Sequence, residues 1–185
     1  MNDPQKRRKR NVRDTSPPPM VLTERDLEII RMVYHCRILR QDHIHSLFFG
    51  AAKAASQRRL ALLYHHGFLT RTFLTVRASY LVSPALYLLD RRGAEALRSE
   101  FGYDDIGWTA KSNEVGQPFI EHTLAINDVR VAVMLACRSD PTYSLLEWRG
   151  EAELKASFDR VTIPTPTGKM DSVSLIPDSF FVVQS

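Results

Sequence analysis

The chain has 185 residues, 44% of them hydrophobic, and a formal net charge of +4. This length allows one large domain or two small ones, and the longest apolar run, Val131–Cys137, is much shorter than the roughly 20 residues that a membrane-spanning helix needs. Cys36 and Cys137 are far apart and the N-terminus lacks the apolar core of a signal peptide, so we expect a cytoplasmic protein without disulfides or a zinc site.

The positive charge is concentrated in the first half of the chain. Residues 1–19 carry six basic and two acidic residues, residues 20–93 carry eleven and five, and residues 94–185 carry eight and fourteen. This asymmetry suggests two modules, of which the basic one is the candidate for binding a polyanion. Residues 1–19 are predicted to be a disordered basic tail, because they lack apolar periodicity and contain three consecutive prolines. The cluster Lys6–Arg10 could contact phosphates, or it could be a solvated tail without a dedicated partner.

Three helices are predicted after the tail. Thr23 is the N-cap of the first, and Asp26 completes a variant capping box. The second covers residues 40–49. The third runs from about Ala52 to His66 and ends at Gly67, a residue typical of the position after a helix.

Two strands, at residues 68–76 and 85–89, follow the third helix, and Asp90 caps a fourth helix. Three helices followed by a two-stranded hairpin is the order of a winged helix-turn-helix, whose third helix reads DNA. We therefore predict an α+β chain with a winged helix-turn-helix domain at residues 20–102. The polar, breaker-rich residues 103–118 are predicted to be a linker.

Residues 119–185 are predicted to form a smaller α/β module. It opens with a helix to about residue 139, whose apolar residues cover more than one face, so a homodimer through Phe119–Cys137 is an expected partnership. Strands are predicted at 143–148 and 174–183, with a strand and turn at 159–169. Because the chain stops directly after the last predicted strand, we expect this module to be truncated or to be a purely structural version of its fold.

The third helix contains the candidate DNA contacts. At 100° per residue, Ser56, Leu63 and Tyr64 share a packed face with Leu60, and Arg58 lies opposite. An exposed arginine can reach a guanine edge or a phosphate, and the positive helix N-terminus favours phosphate. The predicted contacts of helix and hairpin are Lys53, Ser56, Gln57, Arg58, Arg59, Arg71 and Arg77. Alternatively, these side chains only solvate a helix face and strand edges.

Several blocks resemble the replication-relaxation family: LTERDLEIIRMVYHCRILRQDHIHSLFF, RRLALLYHHGFLTR, LYLLDRRGAEAL, EHTLAINDVRVAV and SLIPDSFFVV. The resemblance covers residues 20–185, and EHTLAINDVRVA is its most specific block. It implies a winged helix followed by a second domain in a protein of plasmids, integrative elements or phages. The implied roles are plasmid replication, DNA relaxation or transfer, with double-stranded DNA and replication or transfer proteins as partners.

A nuclease is the enzymatic alternative. Glu121 on the long helix and Asp178 after the predicted strands resemble the start of a PD-(D/E)xK core, a restriction-endonuclease-like fold that binds Mg²⁺ through carboxylates. The required acidic-x-lysine triplet does not follow Asp178, which could equally be a turn residue after Pro177. We therefore favour a non-enzymatic protein without a cofactor, and a winged-helix protein-interaction module is a third hypothesis.

The pair His43 and His45 has the His-hydrophobe-His spacing with which relaxases hold a metal on a strand. On the predicted second helix the two side chains point about 200° apart. One metal ion could not bind both, so no metal site is predicted here.

Overall fold

The computed structural model describes residues 12–74, 83–156 and 159–185. Helices and small sheets form two compact units, Met1–Asn127 and Asp128–Ser185. This division falls inside the long helix, so residues 103–118, predicted to be a linker between modules, belong to the first unit. No helix in the described part of the chain is long and apolar enough to cross a bilayer.

The first unit combines helices with a three-stranded antiparallel sheet. Its elements are α1 (Glu24–Cys36), β1 (Leu39–Arg40), α2 (Gln41–Phe48), α3 (Lys53–His65), β2 (Leu69–Phe73), β3 (Ala85–Leu89), α4 (Arg91–Phe101), a 3₁₀ turn (Ala110–Asn113) and the first part of α5 (Gln117–Ser139). The strand order is β1-β3-β2. The predicted helices of this unit are confirmed, as are strands within both predicted ranges; residues 75 and 76 of the first range lie outside the described residues. β1 was not predicted, because two residues are too few to show an alternating pattern.

The helix starts follow the predicted capping chemistry. The Thr23 side chain accepts a hydrogen bond from the Asp26 N–H, and the Asp26 carboxylate accepts one from the Thr23 N–H. These bonds satisfy amide groups that the first turn of a helix leaves without partners. Asp90 caps α4 by accepting from the Arg91 N–H. Both predicted N-caps are therefore confirmed.

The long helix begins on the sheet of the first unit. Ile120 and Leu124 are buried in a cluster with Ile38, Leu86 and Leu88. Full burial of such a side chain contributes about 1.5–3 kcal/mol. This apolar contact explains why α5 starts inside the first unit and does not begin a separate module.

Asn127 is a buried polar residue at the same junction. Its Nδ2 donates to the backbone carbonyls of Cys36, at 2.9 Å, and Ile38, at 2.8 Å. Between these carbonyls the backbone of Arg37 adopts φ 64°, a conformation that side chains other than glycine rarely take. Asn127 thus fastens α5 to the irregular end of α1, and it lies within the EHTLAINDVRVAV block.

Residues 103–118 are packed onto β3. Trp108 Nε1 and Asn113 Nδ2 both donate to the Leu89 carbonyl, at 3.2 and 2.9 Å, and Ile106 is buried. These two hydrogen bonds and the burial of Ile106 hold the segment against β3, so a breaker-rich composition coexists with a packed segment.

The second unit contains the remainder of α5 and two separate two-stranded antiparallel sheets. Its other elements are β4 (Ser144–Gly150), α6 (Glu151–Leu154), β5 (Asp159–Pro164), β6 (Met170–Leu175) and β7 (Ser179–Gln184). β4 pairs with β7, and β5 with β6. The single strand predicted at 174–183 is wrong, because residues 176–178 lie outside both strands. Pro177 lacks the N–H that a continuous ladder needs.

Candidate nucleic-acid interface

The burial pattern of α3 matches the predicted helical faces. Leu60 and Leu63 are fully buried, whereas Lys53, Gln57 and Arg58 are exposed. Because exposed polar side chains follow one side of the helix, α3 offers solvent a surface of hydrogen-bond donors and positive charge.

A cleft of about 700 Å³ lies between α2, α3 and the β2–β3 pair. Its lining brings together three predicted contacts, Lys53, Gln57 and Arg71. Three α2 residues that were not predicted as contacts also line it: Gln41, the acidic Asp42 and His45. The sequence carries no signal for the α2 residues, because their approach to α3 depends on how the two helices pack.

Arg71 is held at the hairpin end of this cleft by aromatic rings. Its guanidinium carbon lies 4.3 Å from the ring centroid of Tyr64 and 5.8 Å from that of Phe73, both distances at which a cation is attracted to a ring face. Arg71 also pairs across the sheet with Tyr87. Burial raises the pKa of the Tyr87 phenol, and the charge and hydrogen bond of Arg71 only partly offset this rise. The rings thus orient a positive charge beside α3.

Two predicted contacts, Ser56 and Arg59, are largely withdrawn from solvent, and the Arg59 side chain is only 24% exposed. The Ser56 side chain is fully buried. Arg59 forms an ion pair with buried Asp26, with 2.6 Å between Arg59 Nε and Asp26 Oδ1, and also donates to the Val21 carbonyl. Ser56 lies on the packed face because it is one helical turn from Leu60. A carboxylate 33 positions away in sequence directs Arg59 inward.

The Asp26 carboxylate is stabilised as an anion despite its burial. Burial alone would raise the pKa of Asp26, but hydrogen bonds from Arg59 and Thr23 outweigh it, and the pKa is lowered from its ordinary value. The hydrogen bond to Asp26 likewise raises the pKa of Arg59. The pair therefore stays charged at neutral pH and acts as an internal brace between α1 and α3.

The remaining sequence candidates lie elsewhere. Arg77 is outside the described residues. Glu121 is exposed on the part of α5 in the first unit, where it accepts a hydrogen bond from Gln117 Nε2 at 2.7 Å. Asp178 lies in the bend between β6 and β7 of the second unit. Among the described residues no group of three or more His, Cys, Asp or Glu side chains is placed to hold a metal ion.

Comparison with known proteins gives one match. The family model described as replication-relaxation matches residues 30–185, most of the chain. Neither the curated proteins nor the solved structures compared with the chain contain a match. The chain therefore belongs to the replication-relaxation family, which suggests a role in the replication or relaxation of plasmids or other mobile elements.

Proposed function

We propose that the protein binds double-stranded DNA through its first unit, as a winged helix with α3 as the recognition helix and β2–β3 as the wing. The observation that carries this proposal is the exposed side of α3, where Lys53, Gln57 and Arg58 adjoin a cleft that also contains Arg71. A recognition helix contacts bases mainly through its N-terminal residues. Lys53 and Gln57 lie in the first turns of α3, which supports this orientation.

Each side chain has a chemical role in the proposal. Gln57 can pair with a base edge, since an amide offers both a donor and an acceptor. Arg58 reaches a guanine edge or a phosphate, whereas Lys53 and Arg71 neutralise phosphates. Exposed Ala54 allows close approach of the helix to the groove. Arg77, between β2 and β3 in sequence, is proposed to contribute to the wing.

Family membership supports a place for this binding in the replication, relaxation or transfer of a mobile element. Duplex recognition of this kind would locate the element's DNA, and other replication or transfer proteins would carry out the covalent steps. The competing idea, a winged helix that binds proteins and not DNA, predicts no affinity for duplex DNA at any salt concentration.

Fluorescence anisotropy with a labelled duplex tests the proposal. Arg58→Ala should weaken binding by about 1–3 kcal/mol, or roughly 5- to 150-fold, if Arg58 reaches a base edge. Arg31→Ala is the matched control, because Arg31 pairs with Glu28 on α1 and packs over Phe101. The assay is repeated with and without Mg²⁺ and scored for cleavage. Equal affinities for Arg58→Ala and wild type would refute the assignment.

A further inference from the structure

The cleft between α2, α3 and β2–β3 has a chemically mixed lining. Arg71 and Phe73 lie on the same face of β2, because strand residues two positions apart share a face, and Ala85 pairs with Phe73 across the sheet. Pro84 also lines the cleft. The helices contribute polar and charged side chains, namely Gln41, Asp42 and His45 from α2, and Lys53 and Gln57 from α3. The cleft therefore combines an aromatic ring, hydrogen-bonding groups and charges of both signs.

This lining suits a nucleobase better than a stretch of sugar-phosphate backbone. A backbone would bring phosphates close to the Asp42 carboxylate, which repels them, and it would gain little from Phe73. A base gains from both, because its ring stacks on an aromatic side chain and its edge offers donors to a carboxylate. The Arg71 guanidinium carbon lies 5.8 Å from the centroid of the Phe73 ring. A base stacked on this ring would therefore have its own phosphate near a cation.

The size of the cleft agrees with a nucleotide as its occupant. Its volume of about 700 Å³ lies within the range of about 300–1,000 Å³ that is typical of sites for small organic ligands. A base inside a duplex is paired and stacked on both sides, so it can enter such a cleft only after it has left the stack. The matching ligand is therefore a nucleotide without a pairing partner.

Asp42 is held in place by neighbouring groups. Arg40 Nε donates to Asp42 Oδ1 at 3.0 Å, and the His43 N–H donates to the same oxygen at 2.9 Å. The Asp42 side chain is nevertheless 65% exposed, so it can still accept a hydrogen bond from a ligand. An ionised carboxylate accepts hydrogen bonds but cannot donate them. Such a group favours cytosine, which offers an amino group, over thymine, which offers a carbonyl at the corresponding position.

We propose that the cleft binds one unpaired nucleotide of DNA. The base stacks on Phe73 and turns its edge towards Asp42 and Gln57. Lys53 and Arg71 hold its phosphate. This inference rests on the proposed DNA-binding function and narrows the substrate to duplexes with an opened or bulged position. Replication requires an opened duplex, so this substrate agrees with the role that family membership suggests.

Fluorescence anisotropy with four labelled DNA probes tests the proposal. The probes are a perfect duplex and the same duplex with a single bulged cytosine, a bulged thymine or a bulged abasic site, which controls for the flexibility that any bulge adds. The wild-type protein should bind the cytosine bulge roughly 5- to 150-fold more tightly than the abasic bulge, which is the contribution of stacking one base on an aromatic ring. It should bind the thymine bulge at least about fivefold more weakly than the cytosine bulge, the lower limit of discrimination by one good base contact.

Three variants assign these preferences to residues. Phe73→Leu keeps an apolar side chain but removes the ring, so it should reduce the preference for cytosine over the abasic site by about fivefold or more. Asp42→Asn should reduce the preference for cytosine over thymine, since an amide can also donate to the thymine carbonyl. Arg58→Ala is the control. Because Arg58 is not one of the described residues that line the cleft, this substitution should weaken binding of all four probes by the same factor and leave both preferences unchanged.

The outcomes separate the cleft from the proposed function. Equal wild-type affinities for the cytosine and abasic bulges, or a cytosine preference that Phe73→Leu leaves intact, overturn the cleft proposal, while Arg58-dependent binding of the perfect duplex still stands. Absence of perfect-duplex binding, or binding that Arg58→Ala does not weaken, refutes the proposed function itself. Thermal melting reports whether each variant folds, and the comparison of probes with the wild-type protein decides the proposal even where a variant does not.

Discussion

Replacement of Arg59 should lower the free energy of unfolding, whereas replacement of the neighbouring Arg58 should change it little. Asp26 is fully buried, and Arg59 contributes two of its hydrogen bonds. Arg59→Met keeps the length of the side chain but leaves a buried carboxylate without its cation. Removing one partner of a buried pair costs about 3–5 kcal/mol. We expect the lower end, about 3 kcal/mol, because the Thr23 N–H and hydroxyl still donate to Asp26.

The pH dependence of this effect has a definite sign. In the wild type the pKa of Asp26 is lowered, so its contribution to stability is complete above the unfolded pKa, near 4, and is lost as pH falls through the folded value. In Arg59→Met the hydrogen bonds that lowered the pKa are lost while burial remains, so the pKa of Asp26 should rise. Protonation then relieves the variant as pH falls. The stability difference between the two proteins should be largest near pH 7 and shrink as pH falls through the raised pKa of Asp26 in the variant.

Thermal unfolding followed by circular dichroism measures this difference. A decrease of about 3 kcal/mol corresponds to a Tm lowered by roughly 6–12 °C for a chain of this size. Arg58→Met is the matched control, since it removes the same charge from the next, exposed position and should change Tm by only about 1–2 °C. Equal Tm values for the two variants, or a difference that grows on acidification, would refute the reasoning.

Two further predictions concern packing. Gly93→Ala should lower the free energy of unfolding by several kcal/mol, because a Cβ at this position would overlap the Phe68 carbonyl and lie 2.8 Å from a Leu89 methyl, so that α4 could no longer approach the sheet as closely. Denaturant unfolding measures this loss. Gly116→Ala is the control and should behave like wild type, since its Cβ would meet only Pro118 at 3.8 Å. The second prediction is self-association through the helix surface Phe119–Cys137, where Val129 is 51% exposed. Val129→Asp should shift the sedimentation equilibrium of the protein towards the monomer. A wild-type protein that is monomeric at every concentration would count against self-association.

Local chemistry explains what could be predicted from the sequence. Capping depends on residues at most three positions apart, so the Thr23–Asp26 capping box and the Asp90 cap could be predicted directly. The packed face of α3 was readable because Leu60 and Leu63 follow a fixed helical period. Each of these features is decided within one or two helical turns.

Features that depend on distant partners could not be predicted. The orientation of Arg59 depends on a carboxylate 33 residues earlier, and that of Arg13 on Asp90, 77 residues later. β1 exists only because β3 offers it an edge. The packing of residues 103–118 depends on β3, where the Leu89 carbonyl accepts from both Trp108 and Asn113.

Ion pairs within the first unit also change what the basic composition means for the proposed DNA binding. Residues 20–93 carry eleven lysines and arginines, yet Arg59, Arg31 and Arg40 are each paired with a carboxylate of the same unit. A paired cation must give up its partner before it can neutralise a phosphate, so it adds little to affinity. The exposed cations of α3 are therefore only Lys53 and Arg58. If the protein binds DNA as proposed, the phosphate contacts of α3 therefore depend on these two side chains.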